Sequence, residues 1–170
     1  MSLTTTQTIG PFPHEALRWV TEATASATTT APTVTISGIV RDGDGAPISD
    51  AILEAWLPGS VAAEQASALP GFRRVPSADD GSFQFTVSRA AFNNAGEPAM
   101  LVTIFARGLV KHQFTAVFLE DDVGLSNSPL LQQVPEARRA TLIASKLGPT
   151  AYAWDICLQG EQETVFIDYV

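Results

Sequence analysis

Apolar side chains are densest from Pro98 to Asp122, PAMLVTIFARGLVKHQFTAVFLEDD, and their pattern changes midway through that stretch. Met100, Leu101, Val102, Ile104 and Phe105 form a nearly unbroken run rich in β-branched and aromatic residues, which predicts a strand covered on both faces. Beyond Arg107 and Gly108, where the bend falls, His112, Phe114, Ala116 and Phe118 alternate with Gln113, Thr115, Val117 and Leu119, predicting a second strand with one slightly more polar face. A hairpin this apolar belongs at the centre of a β core. Arg107 is out of place at its end, because a guanidinium beside an oily strand calls for a carboxylate, a phosphate or an aromatic ring.

The same alternation recurs along the chain. Strands are expected from Thr33 to about Val40, from about Ala51 to Leu57, from Phe72 to Val75, and through SFQFTV from Ser82, with Asp-Gly turns at Asp42 to Gly45 and Asp79 to Gly81. AYAWDICL and TVFIDYV predict two closing strands separated by a turn at Gly160-Glu161-Gln162. Helical periodicity is weak. His14 to Ala25 gives an amphipathic helix with Leu17 and Val20 on one side, Val61 to Pro70 a loop or short helix, and Ser126 to Lys146 short helical turns, one starting at Pro135. About eight strands at this spacing describe an all-β chain, a β-sandwich with an N-terminal arm and short helical turns. The expected division is 1–32 as arm and spacer and 33–170 as the sandwich. Thr4 to Pro13, TTTQTIGPFP, has neither strand nor helix period, so its backbone groups must find partners on another surface.

Composition then narrows the possible partners. With 45% hydrophobic and 16% charged residues in a chain of 170, much of the surface is expected to be covered by another protein. A net charge of −8 argues against nucleic acid and against an anionic membrane, both of which require a basic face. Cys157 is the single cysteine, which rules out an intramolecular disulfide and fits a reducing compartment. The first residues carry no apolar leader, and no later stretch reaches the roughly 18 apolar residues of a membrane span, so the expected location is the cytoplasm.

Four stretches, in order, resemble the intradiol aromatic-ring dioxygenases, and among them the alpha subunits of the two-chain members. QTIGPF is similar to an N-terminal Q-T-x-G-P-aromatic segment, and SGIVRDGDGAPISDAILEAW to a G-x-V-x-D-G-x-G-x-x-x-x-D-x-x-x-E-x-W run. IFARG followed by His112 and TAVFLEDD is the most specific local match, and AYAWDICLQGEQETVFIDY closes the series. The resemblance implies chemistry at a ferric ion held by two tyrosinates and two histidines, hard phenolates being suited to Fe(III). The His-x-His positions of catalytic chains look like Ala99 and Leu101 here, one tyrosine position looks like Phe92, and the other falls near Glu64. None of these side chains replaces the family's ligands, so the resemblance implies no metal and no catalytic residue in this chain. It implies a non-iron-binding alpha subunit whose homologous partner, a beta subunit, carries the Fe(III) in a hetero-oligomer of alpha-beta pairs. That pair would cleave protocatechuate between its hydroxylated carbons to 3-carboxy-cis,cis-muconate. Carried over to this sequence, Thr8, Gly10, Pro11, Phe12 and Arg107 would line the substrate pocket over the partner's iron. Alpha chains often have tyrosine where Phe12 stands, so a hydroxyl is missing from this wall.

Other readings compete at several positions. His14, His112, Tyr152 and Tyr169 are numerically a ferric ligand set, yet none sits at a short ligand spacing. His112 is expected to be a partly buried strand histidine bonded to backbone, Cys157 a buried small residue, and Trp19, Trp56 and Trp154 core or interface anchors. Arg107 has two roles open to it, binding a substrate carboxylate or pairing with an interface acid. A self-sufficient ring-cleaving enzyme with an unusual iron site and a non-enzymatic β-sandwich binding module are the alternative functions.

Overall fold

The computed structural model describes residues 17–25, 31–89 and 94–168. Nine strands carry the fold: β1 (Thr33–Arg41), β2 (Ile52–Trp56), β3 (Phe72–Pro76), β4 (Ser82–Ser88), β5 (Met100–Phe105), β6 (Gln113–Leu119), β7 (Ile143–Lys146), β8 (Ala151–Ala153) and β9 (Ile156–Cys157). Three short helices, α1 (Arg18–Thr24), α2 (Pro129–Gln133) and α3 (Glu136–Arg139), and 3-10 turns at Pro58–Glu64, Leu125–Asn127 and Ala140–Leu142 complete the described elements. The hydrogen-bonded path runs β3-β2-β5-β6-β7-β8-β1-β4, with β9 beside β1. It folds over so that Val34 and Ile36 of β1 and Phe83, Phe85 and Val87 of β4 share one buried cluster with Leu53 and Ala55 of β2 and Val102 and Ile104 of β5. β1, β4 and β5 send alternate residues into that layer, at roughly 1.5–3 kcal/mol per fully buried large side chain.

A second, smaller core forms on the outer face of β6. There Ala116 and Phe118 are covered by Leu131, Val134 and Leu142 from the helical segment, with Val165 and Ile167 packed against them. This explains the fate of TVFIDYV. Residues 164–168 form no strand; Ile167 N–H donates to the Phe114 carbonyl at 2.8 Å and Thr115 Oγ1 donates to the Val165 carbonyl at 2.8 Å. The alternation of that segment serves packing across β6, not a ladder. Tyr169 and Val170 lie outside the described residues.

AYAWDICL, expected as one strand, is two. β8 and β9 both run parallel to β1 in the same register, but Trp154 and Asp155 interrupt them. The Trp154 carbonyl oxygen presses so close to Gly38 that a Cβ there would lie 1.8 Å from it, and Asp155 Oδ1 accepts the Ile39 N–H at 2.9 Å in place of a backbone carbonyl. β7 was expected to be helical; its four residues instead bridge β6 and β8. The expected helix over 14–25 is observed as α1, which packs on the edge strand β3, where Thr24 Oγ1 accepts the Arg74 N–H at 2.9 Å. Trp154 is a core residue, whereas Trp19 and Trp56 are exposed.

Candidate functional site

Arg107 follows directly on β5. Ala106 before it is fully buried, Gly108 after it takes a positive φ of 89°, and the Leu109 N–H closes the turn on the Ala106 carbonyl at 3.3 Å. A non-glycine residue would strain at that φ, so the Arg-Gly order fixes where the guanidinium leaves the strand. Its partner is Asp50. Arg107 Nε lies 2.8 Å from Asp50 Oδ2, the arginine side chain being 69% exposed and the aspartate 13%. The contact is one of charge: the N–H is not aligned on Oδ2, which has no aligned hydrogen-bond donor. Arg107 therefore does pair with an acid, but with one of its own chain, and the outward side of the guanidinium stays in the open. Thr8, Gly10, Pro11 and Phe12 lie outside the described residues.

The positions that the resemblance assigns to the family's metal ligands carry other side chains. Ala99 is buried and opens on a cleft of ≈ 380 Å³ lined by Arg89, Glu97, Leu119, Asp121 and Asp122. Leu101, two residues on and inside β5, faces a separate hollow of ≈ 260 Å³ beside Trp56, Phe72 and Phe114. Neither side chain offers a donor. Glu64 ends the 3-10 turn at Pro58–Glu64 and is fully buried against Arg73. Arg73 Nη2 donates to Glu64 Oε1 at 2.7 Å and Nη1 to Oε2 at 3.0 Å, while the Gly71 N–H also donates to Oε2 at 3.0 Å. Both carboxylate oxygens are thus committed. Phe92 lies outside the described residues. Among the described residues no three His, Cys, Asp or Glu side chains converge as metal ligands would, and this donor set does not fit a ferric ion.

Of the competing ligands, Tyr152 and His112 lie among the described residues, and each is engaged elsewhere. Tyr152 is buried, and its hydroxyl donates to Asp121 Oδ1 at 3.0 Å while Lys146 Nζ donates to Asp121 Oδ2 at 2.6 Å. Burial, then the Asp121 contact, push the Tyr152 phenol up, the opposite of what a tyrosinate ligand needs. The Asp121 carboxyl is held low, chiefly by its bond from Lys146. His112, expected to be half buried and bonded to backbone, is exposed just ahead of β6, between Phe105 at 5.6 Å and Phe114 at 4.6 Å between ring centres. Ring contact replaces the backbone bond because the residue falls outside the ladder. Burial first, and the Asp155 carboxylate second, raise the half-buried Cys157 thiol, which makes it a poor nucleophile. His14 and Tyr169 are not among the described residues, and no helix of those described is long and apolar enough to cross a membrane.

Sequence reasoning singled out Arg107 but not its partner Asp50, and it named Glu64 only as a position near a family ligand, not as a buried ion-pair partner. Asp50 becomes visible only with the strand register, and Glu64 sits in a loop of small residues that looks like surface.

No family model matches the chain. It is 36% identical over 152 residues to the protocatechuate 3,4-dioxygenase alpha chain of Burkholderia cepacia, a match covering 79% of this chain and 76% of the relative. It is 33% identical over 152 residues to the alpha chain of the same name from Pseudomonas putida, covering 80% and 76%. Among solved structures, the intradiol ring-cleavage dioxygenase of Tetranychus urticae superposes with a TM-score of 0.56 at 14% identity, covering 92% of this chain and 94% of that one. That likeness is one of fold.

Proposed function

The chain belongs to the protocatechuate 3,4-dioxygenase alpha-chain family of intradiol ring-cleaving dioxygenases, and on that premise we propose that it forms the pocket-shaping half of a two-chain enzyme. A homologous iron-bearing beta chain is its partner. The enzyme opens protocatechuate between its two hydroxylated carbons, and both atoms of O₂ enter the product, 3-carboxy-cis,cis-muconate. The family is iron-dependent, the metal activating the catechol ring toward oxygen. The observation that carries the division of labour is the loss of donors at the start of β5: Ala99, just ahead of it, and Leu101, within it, stand where the resemblance puts two imidazoles in catalytic chains, and they line separate hollows. A site that cannot be completed here must be completed by a neighbour. The single Cys157 is in keeping with a reducing, cytoplasmic setting.

This chain's own contribution is to bind and orient. Protocatechuate carries a ring carboxylate, and the exposed guanidinium of Arg107 suits it in charge and planar shape. Gly10 and Pro11 would shape one wall of the pocket beside Thr8, with Phe12 against the aromatic face. Lacking a hydroxyl, Phe12 holds the ring by contact alone.

Co-expression with an iron-bearing chain of the family tests the assignment. The pair should co-purify, its iron should track the partner chain, and it should cleave protocatechuate. Purified alone, this chain should be colourless and inactive; a red-brown, iron-loaded preparation of it that opens catechols unaided would overturn the reading.

A further inference from the structure

We infer that Asp50 is the positioning residue for Arg107, tethering the guanidinium at Nε so that its terminal nitrogens face a substrate carboxylate; this rests on the pocket role of Arg107 proposed above. The strand register sets the two residues together. β2 and β5 pair antiparallel with Ile52 opposite Phe105, and extending that ladder by two residues on each strand brings Asp50 opposite Arg107. Asp50 is anchored. Its neighbour Ala51 is fully buried, with its N–H accepted by Ser77 Oγ at 3.0 Å and its carbonyl accepting the Ser77 N–H at 2.9 Å. Arg107, apart from its contact with Asp50, is held only through its backbone in the Ala106-Gly108 turn. A long side chain on a fixed turn samples many rotamers, and ordering it on binding costs affinity.

The asymmetry of the pair points the same way. Asp50 is 13% exposed and Arg107 69%, so the acid is fixed and the guanidinium is the mobile, outward member. Contact is at Nε, which leaves the fork of two Nη atoms, the end that grips a carboxylate bidentately, with no partner among the described residues. The loose alignment on Oδ2 lets the fork pivot without losing the charge contact. Asp50 also places a negative charge behind the guanidinium, which repels a carboxylate weakly through the cation. Its net effect is therefore a decision between orientation and repulsion. Orientation prevails, because the substrate meets the near, positive end.

Steady-state kinetics on the co-purified two-chain enzyme, with protocatechuate and with catechol, which lacks the carboxylate, separate the possibilities. Arg107→Ala should raise KM for protocatechuate by about 5–100-fold. Asp50→Ala should raise it about 3–10-fold more than it raises KM for catechol, with kcat moving less than KM, and Asp50→Glu should recover most of that loss. If Arg107→Ala leaves KM for protocatechuate alone, the pocket role itself fails. If Arg107→Ala acts but Asp50→Ala does not, or lowers KM, the tether is overturned and the pocket role stands. Equal losses on both substrates, unrescued by Glu, would mean that Asp50 only supports the start of β2, and would overturn the tether too.

Discussion

Two arginine-carboxylate pairs in this chain have nearly the same charge separation and opposite surroundings. Glu64 and Arg73 are 0% and 1% exposed, their two terminal nitrogens and two oxygens are matched, and Arg73 Nε donates to the Thr86 carbonyl at 3.0 Å. Asp50 and Arg107 share one off-axis contact, with the guanidinium in the open. The first pair is closed: it has no valence left for a ligand, and its use is to tie the turn at Pro58–Glu64 to β3 and β4. The second keeps its binding face free. Burial and completeness of hydrogen bonding, not the residue types, separate a structural pair from one fit for recognition.

The largest effect should come from breaking the closed pair. Glu64→Ala leaves a guanidinium uncompensated in the core and should cost about 3–5 kcal/mol of stability, read from denaturant unfolding. Replacing both partners, Glu64→Leu with Arg73→Met, should recover most of that loss, though not all, because the Thr86 and Phe72 carbonyls lose donors. A double variant as weak as the single one would mean that packing, not charge, governs the site.

An intermediate case is Tyr152, Asp121 and Lys146, a linked cluster partly open to water. Tyr152→Phe should cost about 0.5–1.5 kcal/mol near neutral pH. Its pH dependence has a definite sign. The Tyr152 pKa is raised in the folded state, so the stabilisation is complete below the ordinary tyrosine value and fades as pH climbs toward the folded one; Tyr152→Phe should flatten that alkaline decline. Asp121 is lowered, so its contribution is present above the ordinary aspartate value and is lost as pH falls toward the folded one. Thermal midpoints across both limbs measure each. The smallest effect belongs to the open pair: Arg107→Ala should change stability by about 0–1 kcal/mol, less at high salt, while changing substrate binding far more. A large stability loss there would move Arg107 into the same class as Arg73.

Much of the fold was legible because burial on one face forces alternation, as in β1, β4 and β6, while the unbroken apolar run of Met100 to Phe105 marked β5. The C-terminal part was less so. Val165 and Ile167 alternate as a strand would, yet the outer face of β6 takes them by packing, and nothing local distinguishes the two uses. β7 is four residues long and follows helical turns, too short for a period to show. Of the site, Arg107 stood out as a cation on an apolar strand, and Ala99 and Leu101 were placed by resemblance. Asp50 lies 57 residues earlier and meets Arg107 only through the register of β2 on β5. Glu64 in VAAEQASALP has the composition of a wet loop, and its burial depends on an arginine nine residues on.

β1 is sandwiched between a near neighbour in sequence, β4, and two strands, β8 and β9, that come after Ala151. A ribosome adding about 5–20 residues per second takes roughly 5–20 s to travel from Arg41 to Ala151. Throughout that interval one side of the nascent β1 has no lawful mate, and its bare amides invite pairing with other chains. Products halted before Ala151 should therefore precipitate, and production in the cell will reward slower synthesis or a chaperone that shields this edge until the parallel strands arrive.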